Sequence, residues 1–257
     1  MIRFFSLAWF HLKIYAKNSY FINLMITSTL SMFFLDYIAQ SALGADLSQI
    51  IWIRASIFGL WASGTTAAGS IGFQRFQGTL LYLINTAYND QLSLAALIAP
   101  AASFGLLSFP LAILAAFIFQ VPVRIQGSFI LAGLALWLGA LVLDLLIASV
   151  FVLTKNAIVY EDLLTLPLLF MSGLFPLPGF LQSIQPLVNW LLPIALPIQW
   201  LLGFEALSAF TVFQFIVCLA LSLVLSINIS KYILKQARVS GKLGGVLWKL
   251  SFHLLMF

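Results

Sequence analysis

Charge is what this chain has least of. Only 7% of its 257 residues are charged, against 63% hydrophobic, whereas a soluble surface normally draws on about 25% charged residues. A water-soluble globule is therefore excluded, and the bilayer is the expected solvent. Cysteine is nearly missing as well: Cys218 stands alone, so one chain can build neither a disulfide nor a thiolate metal cluster. His11 and His253, the only histidines, lie at opposite ends without neighbouring ligands, which removes the usual metal-binding spacings. No Gly-x-x-x-x-Gly-Lys-Ser/Thr phosphate cradle is present, because Gly241-Lys242 runs into Leu243 with no strand before it. Paired carboxylates, histidine clusters and activated nucleophiles are absent from the apolar runs, so no catalytic, cofactor-binding or metal residue is assigned and an enzyme is not expected.

What the chain does have is apolar length. A helix needs roughly 20 apolar residues to cross about 30 Å of hydrocarbon. Six segments meet or approach that length: 20–39, 50–72, 93–119, 127–153, 157–176 and 207–230. Helices satisfy their own backbone hydrogen bonds in lipid, and the short alternating segments of a strand barrel are missing. The expected fold class is an all-α polytopic membrane protein with six transmembrane helices. Residues 1–257 form one transmembrane domain, since no hydrophilic stretch is long enough for a second core.

Lysine and arginine set the expected orientation, because cytoplasmic loops retain the excess of positive charge. With both ends inside, the inner segments hold Arg3, Lys13, Lys17, Arg75, Lys155, Lys231, Lys235, Arg238, Lys242 and Lys249, and the outer side only Arg54 and Arg124. The net charge of +5 then reflects topology and attraction to anionic membrane lipid rather than a nucleic-acid partner. Residues 1–18 place Phe5, Trp9, Leu12 and Ala16 at helical spacing beside Arg3, Lys13 and Lys17, the pattern of an interfacial helix. They do not read as a cleaved signal peptide, because the basic part extends to Lys17 and no Ala-x-Ala-like site follows. Residues 231–257 read as a basic cytoplasmic tail whose apolar end, Leu243 to Phe257, is too short to span and suits the interface.

A polar break from Gln74 to Asp90 separates the second and third runs. It mixes Gln74, Arg75, Gln77, Asn85, Asn89 and Asp90 with Phe76, Leu80, Leu81, Leu83 and Ile84, as a short half-buried helix would. Gly78 permits a sharp change of direction, and Thr79 can cap the helix that follows. The motif Arg75-x-x-Gly78-Thr79-Leu80-x-x-Leu83 resembles the segment after the second membrane helix in ABC-2 type permeases, the membrane subunits of many bacterial ABC exporters. The resemblance implies that this segment is a coupling helix docking on a separate ABC ATPase, with Arg75, Gly78, Thr79, Leu80 and Leu83 at the contact. Most such permeases carry acidic residues where this chain has Gln74 and Leu81; docking is then expected to use shape and apolar contact more than ion pairs.

A second resemblance lies in Met171-Ser-Gly-Leu-Phe-Pro-Leu-Pro-Gly179, followed by Pro186, Pro193, Pro197 and Trp200. Pro176, Pro178 and Gly179 stop the fifth run, yet the chain up to Leu202 stays apolar. Short helices dipping into the outer leaflet fit such a stretch when their broken backbone is buried in protein or lines water. ABC-2 permeases look similar here. They have a Ser-Gly turn with a following proline, then a re-entrant extracellular hairpin before the last span, so Ser172, Gly173, Pro176 and Pro178 are assigned to the hairpin turn. The resemblance further implies an N-terminal elbow helix, a second permease copy or paralogue, a bacterial cytoplasmic membrane location with both termini cytoplasmic, and ATP and Mg held by the partner ATPase rather than by this chain. The expected cargo of such an apolar path is a hydrophobic or amphipathic peptide, lipid or drug.

Two further features sit inside the apolar runs. Gly64, Ala68 and Gly72 recur every four residues, which permits close helix approach. Asp144 lies eleven residues before Lys155, about 16 Å along a helix, deep enough that an ionised carboxylate would cost at least ~2.5 kcal/mol. It is assigned to the translocation path; the alternative is a proton-coupled secondary carrier with Asp144 as its proton site. Arg54, beside Trp52, is expected to snorkel to the outer surface.

Overall fold

Proline and glycine divide the chain into helices whose ends are closed in a common way. The structure, a computed structural model, describes residues 2–76, 90–154 and 157–239. The described residues form α1 (Ile2–Lys17), α2 (Ser19–Ala42), α3 (Ile50–Phe76), α4 (Asp90–Gly105), α5 (Ser108–Ile118), α6 (Phe129–Phe151), α7 (Ala157–Met171), α8 (Gly179–Gln182), α9 (Gln185–Leu191), α10 (Ala195–Leu202) and α11 (Ala209–Val239). No strand occurs among them. The Asn18 side chain caps α2 by accepting the Tyr20 N–H at 3.0 Å. Helix α7 ends where Leu174 N–H reaches back to Leu169 O and Gly173 N–H to Phe170 O, a paired C-terminal closure that requires a left-handed residue. Gly173 supplies it with φ +85°. The end of α5 closes in the same manner on Gln120, a non-glycine at φ 56°.

Four of these stretches are long and apolar enough to cross a membrane: Ser19–Ala42, Gln91–Ile118, Phe129–Phe151 and Ala209–Ala237. The chain is accordingly a multi-pass membrane protein by length and composition. Their outward faces carry large apolar side chains such as Leu35 and Ile38 on α2, Leu114 and Phe117 on α5, Ile130 and Leu134 on α6, and Phe210 and Leu221 on α11. Lipid is the solvent that accepts such a belt.

Helix α3 occupies the middle, packed against α2, α4, α5, α6, α7 and α10. Arg54 and the hydroxyls of Ser56, Ser63, Thr65, Thr66 and Ser70 dilute its apolar character, which a helix surrounded by protein tolerates. Some of those groups tie neighbours to it: Ser63 Oγ donates to Ala101 O at 2.8 Å, and Ser108 Oγ donates to Ser56 O at 2.6 Å. Contact is close enough to need glycine. A Cβ at Gly105 would stand 2.7 Å from Leu60 O, so α4 can rest on α3 only without a side chain there.

The structure alters several sequence expectations. The expected span 93–119 stands as the membrane-length stretch Gln91–Ile118, divided into α4 and α5 by a turn just after Gly105, which rests on α3. The expected span 157–176 stops at Met171. Its 15 residues cover about 22 Å, less than the hydrocarbon thickness. Helix α11 continues past 230 to Val239, so Lys231 and Lys235 ride on its last turns instead of opening a tail. On α1, Phe5 and Trp9 face outward as expected of an interfacial helix, but the side turned to the bundle is His11 and Tyr15. Tyr15 OH donates to Leu97 O of α4 at 3.1 Å. Lys13 Nζ lies 5.5 Å from the Trp9 ring, a cation over an aromatic face beside the exposed rings.

Candidate functional site

The carboxylate of Asp144 is lodged at the centre of the bundle. It is wholly buried on α6, and it sits against Gly64 of α3 so tightly that a Cβ at Gly64 would overlap it. The small-residue row on α3 therefore does more than let helices approach. At Gly64 it makes the notch that receives the acid, while Ala68, also fully buried, packs in the apolar core. Gly72 has no described side-chain surroundings.

Arg75 falls in the last turn of α3; its side chain, and Gly78, Thr79, Leu80 and Leu83, lie outside the described residues. The helix that leads into this motif is the central one.

The Ser172 to Pro178 turn leads from α7 into three short helices. Ser172 is buried and donates from Oγ to Leu169 O at 2.7 Å, Gly173 takes the left-handed position, and Pro176 and Pro178 lie in the non-helical stretch before α8. Beyond it, Asn189 and Gln199 face each other in the interior: Gln199 Nε2 donates to Asn189 Oδ1 at 2.8 Å and Asn189 Nδ2 to Gln199 Oε1 at 3.3 Å. Gln185 Nε2 adds a third amide at 3.3 Å from Asn189 Oδ1, and the same Gln185 side chain lies within 4 Å of the space over Gly173. These carboxamides join the end of α7 to α9 and α10, a polar clasp on an otherwise apolar stretch. Helix α10 rests on α6, where a Cβ at Gly139 would stand 2.9 Å from the Pro193 carbonyl carbon.

Arg54 does not snorkel. Its guanidinium pairs with Asp36 of α2 at 3.6 Å, with both side chains largely buried. Asp36 was not singled out in the sequence, although a signal exists: the two residues stand nine places either side of Ala45 in the α2–α3 hairpin, mirror positions that a tight antiparallel pair brings together. A shallow polar cavity at this end of the bundle is lined by Gln49, Arg124, Gln126, Ser128 and Trp200, so the loops after α2, α5 and α10 meet on one side.

On α1, burial holds the His11 imidazole below the ordinary histidine value of 6.5. Its Nε2 bonds to no partner among the described residues. No group of three His, Cys, Asp or Glu residues able to hold a metal is found among the described residues.

Family profiles, characterised proteins and solved structures yield no match to this chain.

Proposed function

We propose that this chain is the permease subunit of an ATP-driven ABC exporter of the ABC-2 type, carrying a hydrophobic or amphipathic substrate across a bacterial cytoplasmic membrane. The observation that carries the reading is the motif Arg75-x-x-Gly78-Thr79-Leu80-x-x-Leu83, which continues directly from the central helix α3. A separate ATPase holds ATP and Mg and moves the coupling segment that joins the end of α3 to the start of α4; α3 transmits that movement to every helix packed on it. Two copies, or this chain and a paralogue, face each other around the path. In this reading α3 and the short α7, with the turn that follows it, complete six crossings with the four apolar stretches, α1 is the elbow, α8 to α10 form the re-entrant hairpin, and both termini are cytoplasmic. Arg75→Glu and Gly78→Pro are expected to abolish substrate-stimulated ATP hydrolysis and export while leaving expression in the membrane unchanged. Stimulation and export at normal rates in both variants would remove the docking role.

The wholly buried Asp144 supports a second reading, a proton-coupled carrier, since acids inside the membrane commonly serve relays. Asp144→Asn separates the two. Under the exporter reading transport persists when the proton gradient is dissipated and stops on ATP depletion. Under the carrier reading the order is reversed and the variant is inactive.

A further inference from the structure

Helix α11 carries Gln214, Cys218, Ser222, Ser226 and Ser230 at four-residue intervals, and from Ala209 to Ser230 it has no charged residue. Four of these five polar side chains are at least nine-tenths buried: 5% exposed at Gln214, 1% at Cys218, 3% at Ser226 and 5% at Ser230. Apolar side chains between them, Phe213, Leu221 and Leu225, are more than half exposed. This helix is inverted relative to the rest of the lipid belt's logic only on its inner side, where polarity rather than bulk is turned toward the bundle. A four-residue step advances about 40° around a helix, so the stripe winds, and the protein it faces changes along the way. Near the start of α11 Phe215 packs edge-on against Trp200. Further along Gln91 Nε2 of α4 donates to Ile227 O at 2.7 Å.

Hydroxyls inside a membrane helix usually settle on the carbonyl one turn back. Ser28, Ser56, Ser103 and Ser149 do so at 2.6–2.8 Å. Ser230 does not: its Oγ is buried and bonds to no partner among the described residues, although a polar group in hydrocarbon strongly favours a partner. A row of side chains serving only to glue helices would spend that hydroxyl on α4 or α6.

We propose that the seam under α11 is a closed section of the translocation path, hydrated when α11 parts from the helices it packs on, and that it receives the uncharged hydrogen-bonding portion (hydroxyl or amide) of an amphipathic substrate. The placement rests on the export reading above; the neutrality of the seam adds that the portion it receives carries no charge. Gln214 offers an amide at one end, Ser230 a free hydroxyl at the other, and Cys218 with Ser222 and Ser226 fill the steps between.

The lone cysteine makes the seam directly testable in the unmodified full-length chain, in membranes of cells expressing it with its natural partners. Thiols react with a hydrophilic maleimide as thiolates, which form only where water reaches them, so a hydrated seam position should label at least about tenfold faster than a lipid-facing one. Native Cys218 is expected to label, as are Gln214→Cys, Ser222→Cys, Ser226→Cys and Ser230→Cys in a Cys218→Ala background, while Phe213→Cys, Leu221→Cys and Leu225→Cys stay slow. Seam positions as slow as the lipid-facing ones, native Cys218 included, would overturn the proposal, and so would equal labelling at every position. The assay needs no identified ATPase. A reactive seam without a copurifying ATPase sinks the export reading alone, and an unreactive seam in a chain that does copurify with one sinks the seam alone.

Discussion

Arg54 and Asp36 are the clearest case of one residue explaining another. Separately each is a charge in an apolar helix; together they close the α2–α3 hairpin near its loop. Removing one partner strands the other in a site that water barely reaches, which is more destructive than removing both. Arg54→Ala is expected to cost about 2 kcal/mol of stability in detergent, and Asp36→Ala on top of it to restore most of that loss, as read by thermal unfolding. Losses that simply add in the double variant would show that the two residues are not coupled. Arg54 was singled out in the sequence and Asp36 was not, because snorkelling and pairing place the same arginine near the same helix end. Asp144 was legible as a deep acid. Its seat at Gly64 was not, since a row of small residues signals close approach without naming the helix that approaches.

At the scale of an element, α1 repays attention to which side is turned inward. The spacing of Phe5, Trp9, Leu12 and Ala16 predicts a helix, which α1 is, and Phe5 and Trp9 are exposed. The inner side, His11 and Tyr15, is polar at its tips and could not be separated from the rest by periodicity. Burial favours the neutral imidazole of His11, so an undocked α1 binds a proton more readily than a docked one. Docking is then fully retained above the ordinary histidine value and weakens as pH falls below it. Amide exchange over residues 5–17 should quicken between about pH 7.5 and 5.5, beyond the intrinsic pH trend, and His11→Phe should abolish the excess. An unchanged excess in that variant would remove His11 from the account. Elsewhere, α7 ends ahead of the prolines, at the left-handed Gly173, and the break after Gly105 falls just before Pro110, which cannot donate a backbone N–H.

For the whole molecule, composition alone reached the membrane and the helical class, because 63% hydrophobic residues leave few other solvents. It did not reach the arrangement. That α3 would be central follows in retrospect from its hydroxyls and glycines, which make it the run least suited to face lipid and best suited to be surrounded. Under the proposed exporter reading, a central helix that runs to Phe76, just before the Gly78-Thr79-Leu80 motif, would be a direct mechanical route from the cytoplasmic surface to the bundle core. The account's central claim is that a separate ATP-hydrolysing subunit sits at the end of that route. Purifying the tagged full-length chain from its native membrane in mild detergent and identifying what stays bound tests this most directly. The account predicts an ABC ATPase in stoichiometric amount, lost from the Arg75→Glu variant. A pure permease with no ATPase bound, still transporting when ATP is exhausted, would contradict it.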